Sequence, residues 1–494
     1  MESTAALLIA SVLFPPAGLV LLWRRRAGLA LKLLGTVAIL ALGVFELFKV
    51  YGLRLELDGA ATRPFLSFKS PEAKAVALEE SRAAATPAPA PAPEPVPTPA
   101  AAAPEPAPAP VVVRNYWTDF RGPGRLGIYD EMPILTSWPA GGLKRLWKQP
   151  IGGGYASFVV ANNTAFTIEQ RRDQEVVAAY DVATGRERWT NRWNAHFSES
   201  MGGDGPRATP VFDGGRLYAL GAEGELRVLD AATGRVVWNK NILADNEAAN
   251  IQWGMAASPL IVDGKAIVLP GGKSGKSVVA YDKLTGARAW SAFDDQQAYA
   301  SPVVATLGGK RQLLVVSARR VMGLEIEDGK LLWEMPWTTQ YDMTSTAPIV
   351  VGPNRVFISS GADTGAVVIE VDGGQVREVW RNKRMKTKFN DAVLFGGHIY
   401  GLDEGILACI NVETGEQKWK GGRYGFGQIL LASGHLVVLA ERGEVALVKA
   451  DPAGYTEVAR FPAIEGKTWN NPAIAGGVLL VRNAEEMAAF QLGR

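Results

Sequence analysis

Two patterns of hydrophobic residues divide the chain. In the first 50 residues the apolar residues are continuous: residues 5–23 carry no charge, and residues 27–48 form a second apolar run that contains Lys32. From about residue 115 onward, short apolar runs alternate with polar residues and end at glycine-containing turns. A run of about 20 apolar residues predicts a membrane-spanning helix, whereas alternation with period two predicts a half-buried β-strand.

One motif recurs through residues 115–494: an apolar run, an acidic residue, a Thr-Gly or similar turn, and a large aromatic residue. Its copies end at Trp189, Trp238, Trp290, Trp333, Trp380, Trp419 and Phe461. The unit "TPVFDGGRLYALGAEGELRVLDAATGRVVW" divides into four strands, and neighbouring anchors are between 39 residues (Trp380 to Trp419) and 52 residues (Trp238 to Trp290) apart. Four short strands in a period of this length predict the blades of a β-propeller and exclude two-helix solenoid repeats.

Each end of the repeat region contains only part of a blade, and the two parts together make one complete blade. Trp147 lies 42 residues before Trp189 without inner strands ahead of it, and the chain ends on "EMAAFQLGR", a third strand without a fourth. We expect the strand around Trp147 to complete the last blade, which closes an all-β ring of eight four-stranded blades and leaves no open sheet edge. The repeated tryptophan is expected to pack between neighbouring blades, and the glycine of Thr-Gly to supply the positive φ of the turn.

The N-terminal segment is predicted to be a membrane anchor. We expect residues 1–50 to form a helical hairpin that crosses the membrane twice, with spans at about 5–23 and 27–48. The arginines at 24–26 would stay in the cytoplasm by the positive-inside rule, so that both ends of the hairpin face the other side. A cleaved signal peptide is disfavoured because the basic residues follow the apolar run instead of preceding it.

Between the anchor and the propeller the composition changes twice. Residues 51–82 form a juxtamembrane segment, and residues 83–110 consist mainly of proline and alanine. That composition favours an extended polyproline II spacer over a packed core. At about 3.1 Å per residue, this linker would hold the propeller domain, residues 111–494, up to roughly 85 Å from the membrane.

Charge balance and the scarcity of metal-binding residues exclude several functions. A net charge of +2, from 52 basic and 50 acidic residues, argues against a nucleic-acid-binding protein. The single cysteine, Cys409, excludes an intrachain disulfide and a cysteine-rich metal site. The three histidines, His196, His398 and His435, lack the spacing of zinc ligands.

These features resemble a known family. The sequence "YDVATGRERW" at 180–189 is similar to the repeat of the PQQ-type propellers, and "YWTDFRGPGRLGIYDE" at 116–131 resembles the segment before the first blade of bacterial PQQ-like proteins. The resemblance covers about residues 115–494 and implies the propeller fold. Two branches share the repeat: PQQ-dependent alcohol dehydrogenases, and non-enzymatic relatives such as the outer-membrane assembly lipoprotein BamB.

Propeller ligands usually bind at one mouth of the central channel, and an alignment of the repeats indicates which residues lie there. Side chains alternate in direction along each inner strand. The predicted mouth is therefore lined by aromatic, arginine and amide side chains, namely Tyr155, Arg207, Trp253, Tyr299, Phe389, Asn390, Phe426, Trp469 and Asn470. Such a set would grip a flat anion or a peptide.

Binding of the quinone PQQ would need an aromatic floor, an arginine for its carboxylates, oxygen ligands for Ca²⁺ and a catalytic base. The aromatic floor would be Trp469 or Trp253, and the arginine would be Arg207. The Ca²⁺ ligands would be Asn390, Asp391 and Asn471, and the base would be Asp342 or Asp391. The sequence departs from the dehydrogenases, because it has neither their pair of adjacent cysteines nor a C-x-x-C-H haem site. We therefore expect no cofactor, and PQQ with Ca²⁺ belongs to the alternative function.

Two functions from different classes follow. The first is a non-catalytic module that binds or scaffolds envelope proteins, held in the bacterial inner membrane by residues 5–48 with its propeller in the periplasm; the resemblance implies a part in outer-membrane protein assembly. The alternative is a membrane-bound PQQ-dependent alcohol dehydrogenase, and the sequence leans against an enzyme without deciding. A sensor is disfavoured, since its cytoplasmic part would be only the arginine loop. BamB is tethered by a lipidated cysteine that this N-terminal segment lacks, so the resemblance implies the type of module and not the particular assembly role.

Overall fold

The computed structural model describes residues 4–49, 52–57, 64–67, 71–85 and 116–493. The chain divides into an N-terminal unit, Met1–Ala77, and a propeller unit, Leu78–Arg494. Of the predicted Pro/Ala-rich linker, residues 83–85 are the end of a helix, and residues 86–110 lie outside the described residues.

The described part of the N-terminal unit contains three helices, a strand hairpin and the beginning of a fourth helix. The helices are α1 (Thr4–Leu13), α2 (Pro15–Arg24) and α3 (Leu29–Lys49). The strands Arg54–Leu57 and Pro64–Ser67 pair antiparallel. A fourth helix, α4 (Pro71–Ala85), begins in this unit and ends in the propeller unit.

The first predicted membrane span is divided into two helices. Pro15 forces the residue before it out of the helical region, and Phe14 has φ −154° and ψ 84°. A Cβ on Gly18 would lie 2.6 Å from Ser11 Cα, so α1 and α2 fold back against each other at a contact that glycine permits. Ten helical residues span about 15 Å, half of a hydrocarbon core.

The predicted pair of spanning helices is therefore not seen. Among the described residues, one helix is long and apolar enough to cross a membrane, at Leu29–Phe48. The helix α2 packs against it, with Leu22 beside Gly35.

The propeller unit contains eight blades of four antiparallel strands, as predicted, and the sheet of blade 7 carries a fifth, parallel strand, Ile128–Tyr129. Blades are numbered along the chain, and each runs from the inner to the outer strand in sequence order, except that the outer strand of blade 8 comes from the N-terminal side. The strands of blades 1 to 4 are Val159–Ala161, Thr164–Arg171, Gln174–Asp181 and Glu187–Asn194; Val211–Asp213, Arg216–Leu220, Glu225–Asp230 and Val236–Asn241; Leu260–Val262, Lys265–Val268, Val278–Asp282 and Arg288–Ala292; and Val303–Leu307, Lys310–Val316, Arg320–Leu324 and Leu331–Pro336. Those of blades 5 to 8 are Ile349–Gly352, Arg355–Ser360, Gly365–Asp372 and Gln375–Asn382; Val393–Phe395, His398–Asp403, Ile406–Asn411 and Gln417–Arg423; Gln428–Ala432, His435–Leu439, Glu444–Lys449 and Glu457–Pro462; and Ala473–Ala475, Val478–Arg482, Glu486–Gln491 and Arg145–Pro150.

Closure of the ring follows the predicted scheme. Arg145–Pro150 pairs antiparallel with Glu486–Gln491, and Trp147 lies opposite Ala489. The outer strand of blade 8 thus comes from the N-terminal side and its other three strands from the C-terminal end. Hydrogen bonding between these two strands closes the ring within blade 8, and residues 151–158 connect its outer strand to blade 1.

The repeated tryptophans join neighbouring blades, which confirms their predicted role. The Trp290 indole N–H donates to the Ile326 carbonyl at 3.1 Å, and its ring lies on Gly329, where a Cβ would be 2.7 Å away. The glycine is therefore needed for its φ of 74° and for the ring above it. Equivalent indole hydrogen bonds to the next blade are made by Trp147, Trp189, Trp238, Trp380 and Trp419. Trp333 differs, since it donates to Gln312 within its own blade.

Candidate functional site

The segment before the first blade enters the central channel. We call residues 116–131 the plug segment. Its carbonyls accept backbone hydrogen bonds from the inner strands of blades 1, 2 and 7: Val160 N–H donates to Trp117, Phe212 to Thr118 and Leu431 to Gly127, at 2.7 to 2.8 Å. Residues Ile128–Tyr129 also form a short parallel strand beside the inner strand of blade 7.

Two buried arginines fasten the plug segment to the channel wall. Arg125 is 4% exposed. It donates to the Pro302 carbonyl at 2.7 Å and to Ser258 at 3.3 Å, and it also reaches the Pro259 carbonyl. Its charge is balanced by Asp119, 2.9 Å away.

Arg121 is 2% exposed and reaches blade 6. It donates to the Ala392 carbonyl at 3.1 Å, and its Nε lies 3.7 Å from an oxygen of Asp391. In blade 8, the Gly477 N–H donates to the hydroxyl of Tyr129, a residue of the plug segment. The plug segment therefore contacts seven of the eight blades. The sequence analysis did not place Arg121 and Arg125 in the channel. The signal that could have indicated it is a pair of arginines among glycines just before the first blade.

Asp391 belongs to a ring of hydrogen bonds between blades. The residue two positions before an inner strand directs its side chain to a backbone N–H of the preceding blade. Thr209 accepts from Ser157 at 2.9 Å, Ser258 from Thr209 at 3.1 Å and Ser301 from Ser258 at 2.9 Å. Asp391 accepts from Ala347 N–H at 2.7 Å in the same manner. The structure thus uses this predicted base and Ca²⁺ ligand to join blades 5 and 6.

Four of the predicted mouth residues form one aromatic cluster where the inner strands begin. We call it the stack, although only the Trp469 and Tyr155 rings are stacked and the other pairs are tilted. Trp469 is 4.8 Å from Phe389 and 5.2 Å from Tyr155 between ring centroids, and Phe389 is 5.9 Å from Phe426. Trp469 is only 9% exposed, so its ring is covered by protein. Its indole N–H donates to Glu441 at 2.8 Å, which fixes the ring orientation.

Lysines cover this stack, and sequence reasoning missed them. Lys388 Nζ lies 5.2 Å from the Phe389 ring and 5.4 Å from Phe426. Lys467 Nζ lies 4.8 Å from the Trp469 ring. These are cation–π distances. The signal in the sequence was a lysine one or two positions before an aromatic residue, in "KF" at 388–389 and "KTW" at 467–469.

Arg207 joins the stack but is engaged by its own protein. Its guanidinium lies 4.6 Å from the Phe197 ring and 5.8 Å from Tyr155. Glu199 accepts from it at 3.1 Å, and the Gly203 carbonyl accepts at 3.0 Å. The predicted ligand for a quinone carboxylate is thus paired with a carboxylate already.

Glu199 belongs to a small hairpin beside the mouth, which we call the lid hairpin. Its strands are Ser198–Glu199 and Gly203–Asp204. Glu199 accepts from Met201 N–H at 2.6 Å, and Lys467 donates to the Met201 carbonyl at 2.7 Å. The hairpin therefore connects the loop after blade 1 with the approach to blade 8.

The other predicted site residues are placed differently. Trp253 pairs with Tyr299 at 5.6 Å, outside the four-ring stack. Asp342 lies in the exposed turn Gln340–Asp342, whereas Asp391 is 3% exposed. No contact between these two aspartates is seen among the described residues.

The predicted amides Asn390 and Asn470 are buried next to residues of the stack, together with a further amide, Gln428. Gln428 bridges the Phe389 and Trp469 carbonyls at 2.7 and 2.8 Å, and Asn470 donates to Ala156 at 3.0 Å. The side-chain oxygens of Asn390, Gln428, Asn470 and Asn471 accept no hydrogen bond from the described residues. Such oxygens suit water or a polar ligand group.

The residues assigned to PQQ and Ca²⁺ do not fit that group as folded. A quinone would have to open the Trp469 stack and displace Glu199 from Arg207, and a cation at Asp391 would lie beside the buried Arg121 guanidinium. Among residues 4–49, 52–57, 64–67, 71–85 and 116–493, no cluster of three His, Cys, Asp or Glu side chains could hold a metal ion.

The fold and the repeated anchors define an eight-bladed propeller of PQQ-like blades. A family model described as outer membrane protein assembly factor BamB matches residues 172–421, and the chain belongs to this family. It is similar to outer membrane protein assembly factor BamB of Yersinia pestis, with 21% identity over 320 residues, 60% of this chain and 76% of that protein.

Solved structures of both branches share the fold. The crystal structure of BamB from Moraxella catarrhalis has a TM-score of 0.52 and 16% identity, covering 71% of this chain and 99% of that one. The quinohemoprotein alcohol dehydrogenase ADHIIG from Pseudomonas putida HK5 has a TM-score of 0.56 and 13% identity, covering 77% and 80%. At these identities the likeness shows the fold alone.

Proposed function

We propose that the chain is a membrane-anchored, extracytoplasmic binding module that holds envelope proteins at the propeller mouth during outer-membrane protein assembly. One observation carries this proposal. Asp391 and Arg207, which catalysis would need, are engaged within the propeller, while the mouth presents lysines beside the half-buried rings of Tyr155 and Phe389. Asp391 joins two blades and Arg121, and Arg207 is paired with Glu199. The family membership supports the same class of function.

The chemistry of the mouth indicates what kind of partner surface would bind. Aromatic and cationic side chains supply large contact area and charge at protein interfaces. Lys388 and Lys467 each contact ring faces while keeping part of the side chain accessible. A partner segment that carries carboxylates beside apolar side chains would pair with these ammonium groups and cover the rings.

The anchor places the propeller outside the cytoplasm in this proposal. α3 crosses the membrane, and the arginines at 24–26 remain in the cytoplasm by the positive-inside rule. Because α1 and α2 are too short to cross, the N-terminus lies on the same side as these arginines. This differs from the predicted double span, which placed the N-terminus with the propeller.

Labelling with a membrane-impermeant maleimide tests the topology. Cys409 is fully buried, so single cysteines can be introduced without replacing it. In intact spheroplasts Ala232→Cys on the propeller should label and Thr4→Cys should not. Labelling of both would restore the double span, and labelling of Thr4→Cys alone would reverse the orientation.

Site-specific photo-cross-linking tests the binding function. A photoreactive residue at the half-buried Phe389 should capture an envelope protein of the outer-membrane assembly pathway in cells, and Lys388→Glu with Lys467→Glu should reduce the yield at least tenfold. Lys418→Glu is the matched control, because Lys418 lies on the outer strand of blade 6. Equal yields in all variants would exclude the mouth as the binding surface.

The dehydrogenase remains the second candidate, because its branch shares the fold and because amide oxygens next to the stack lack partners among the described residues. Titration of the detergent-solubilised chain with PQQ and Ca²⁺, followed by tryptophan fluorescence and dye-linked alcohol oxidation, separates the two. We expect a flat titration. Saturable one-to-one quenching that requires Ca²⁺ and is accompanied by turnover would establish the enzyme instead.

A further inference from the structure

Three side chains at the propeller mouth hold the lid hairpin by its backbone. Tyr155, Arg207 and Lys467 precede the inner strands of blades 1, 2 and 8. Each donates a hydrogen bond to one of three successive carbonyls of the hairpin, at residues 201–203. The Lys467 bond is 2.7 Å long and the Arg207 bond is 3.0 Å long. Donors from three blades thus converge on one short stretch of backbone.

The same site holds a carboxylate of the hairpin. Glu199 lies 3.1 Å from Arg207, and the two side chains of this ion pair are only 12% and 8% exposed, respectively. A Cβ on Gly202 would lie 2.4 Å from the Glu199 carboxylate and 3.1 Å from the Tyr155 ring. The site therefore accommodates a carboxylate and, three residues later, a residue without a side chain.

The tip of the lid hairpin is held by polar contacts and not by apolar burial. Residues 198–204 are each exposed or half-buried. The hairpin is also short, because its two strands have two residues each. The hydrogen bonds that join it to the mouth end on backbone carbonyls and on a carboxylate, and both kinds of group occur in any acidic peptide. A segment of another protein can therefore make the same bonds.

We propose, on the basis of the binding function above, that this part of the mouth is a site for an extended peptide segment, and that the lid hairpin occupies it until a partner displaces it. The partner segment carries an Asp or Glu with a glycine three positions later. Its carboxylate is required, because a buried guanidinium left without its partner is strongly destabilising. Its backbone carbonyls take the place of those at residues 201–203.

Competition by the hairpin sets the expected size of the effect. A site that is open for only a fraction of the time binds its partner with an affinity reduced by that fraction. A hairpin that is docked about nine-tenths of the time therefore weakens the apparent affinity about tenfold. Glu199→Gln should release the hairpin, because glutamine keeps the shape of the side chain but lacks the charge that pairs with Arg207.

A synthetic peptide tests the site in the detergent-solubilised full chain. The peptide is residues 198–205, Ser-Glu-Ser-Met-Gly-Gly-Asp-Gly, amidated at its C-terminus and carrying a dye at its N-terminus for fluorescence anisotropy. Glu199→Gln should bind it at least tenfold more tightly than the unmodified chain does. The matched control is Glu378→Gln, which removes an exposed carboxylate from the outer strand of blade 5 and should leave the affinity unchanged. A peptide with glutamine in place of its glutamate should bind Glu199→Gln at least tenfold more weakly.

Two results would overturn the proposal: equal affinities of Glu199→Gln and the unmodified chain, or equal affinities of the two peptides for Glu199→Gln. Thermal unfolding covers the case in which Glu199→Gln weakens the fold. Saturating peptide should raise the melting midpoint of Glu199→Gln and leave that of Glu378→Gln unchanged. A midpoint of Glu199→Gln that does not respond would also count against the site.

Photo-cross-linking from Phe389 in cells separates this proposal from the assembly function. Glu199→Gln should increase the capture of the envelope partner, and unchanged capture would show that the hairpin does not occupy the partner's site. If the peptide binds as expected but no variant captures an envelope protein, the peptide site stands and the role in outer-membrane protein assembly is wrong.

Discussion

Replacing Arg125 tests whether the plug segment holds the propeller together. Arg125→Ala removes a buried guanidinium that contacts three carbonyls on blades 3 and 4, and it leaves the Asp119 carboxylate without its ion-pair partner. Breaking a buried, hydrogen-bonded ion pair by removing one partner costs about 3–5 kcal/mol. The matched control is Arg188→Ala, whose side chain is 40% exposed and pairs with Asp181. An exposed pair of that kind is worth about 0–1 kcal/mol.

The expected change in melting temperature follows from the size of the folded unit. At about 2.1 cal/mol/K per residue, a unit of the length of Leu78–Arg494 has an entropy of unfolding of roughly 0.9 kcal/mol/K. A loss of 3–5 kcal/mol then lowers the midpoint by about 3–6 °C, and the control changes it by about 1 °C or less.

Differential scanning fluorimetry of the detergent-solubilised full chain gives both midpoints under one set of conditions. Arg125→Met separates the lost charge from the lost volume, because methionine fills part of the space without pairing with Asp119. A midpoint for Arg125→Ala that equals that of Arg188→Ala would refute the inference that the plug segment ties the blades together.

Three further predictions concern buried groups in the blades. Burial raises the pKa of Glu175 to about 7 from an ordinary value near 4.5. Between these two pH values the folded state binds a proton that the unfolded chain has released, so stability falls as pH rises from about 4.5 to 7. Glu175→Gln should flatten that part of the profile of melting midpoint against pH. The pKa of Glu169 is held at about 2 against the effect of burial, chiefly by Arg171. The contribution of Glu169 to the free energy of unfolding is complete above about pH 4.5 and is lost as pH falls towards 2. Glu169→Gln should therefore lower stability at pH 7 and flatten the acidic part of the profile of midpoint against pH, and an unchanged acidic part would contradict this. Trp290→Ala removes a ring that is 9% exposed and lies on Gly329; a loss of about 3–5 kcal/mol is expected in urea unfolding, and a loss below about 1 kcal/mol would show that the junction does not need the ring.

The membrane segment shows a local rule that hydropathy alone overlooks. The run 5–23 is apolar throughout and has the length of a span, but Pro15 and Pro16 interrupt its hydrogen-bond ladder. The signal was present in the sequence, because proline restricts the residue before it. The folding of α1 against α2 at Ser11 and Gly18 was not, since it is a tertiary contact.

The sequence predicted which residues form the candidate site but not that they are already engaged with one another. The repeat alignment brought Tyr155, Phe389, Phe426 and Trp469 to one place, and the structure packs their rings against one another. That they cover one another could not be read from spacing, because each ring comes from a different blade. The pairing of Arg207 with Glu199 depends on a hairpin turn whose shape no periodicity describes.

The sequence by itself determined the architecture of the propeller: the number of blades, the four strands in each, the turn glycines and the closure through Trp147. Each of these depends on alternation and turn chemistry within one unit of about 45 residues, so contiguous residues record them. Only the tertiary structure decided which charged side chains are free. Arg125 meets Pro302, Arg121 meets Asp391, and Arg82 meets Tyr180 across 98 residues of chain. Partners so far apart leave no local pattern, and whether an arginine binds a ligand or its own fold is settled only when the ring has closed around it.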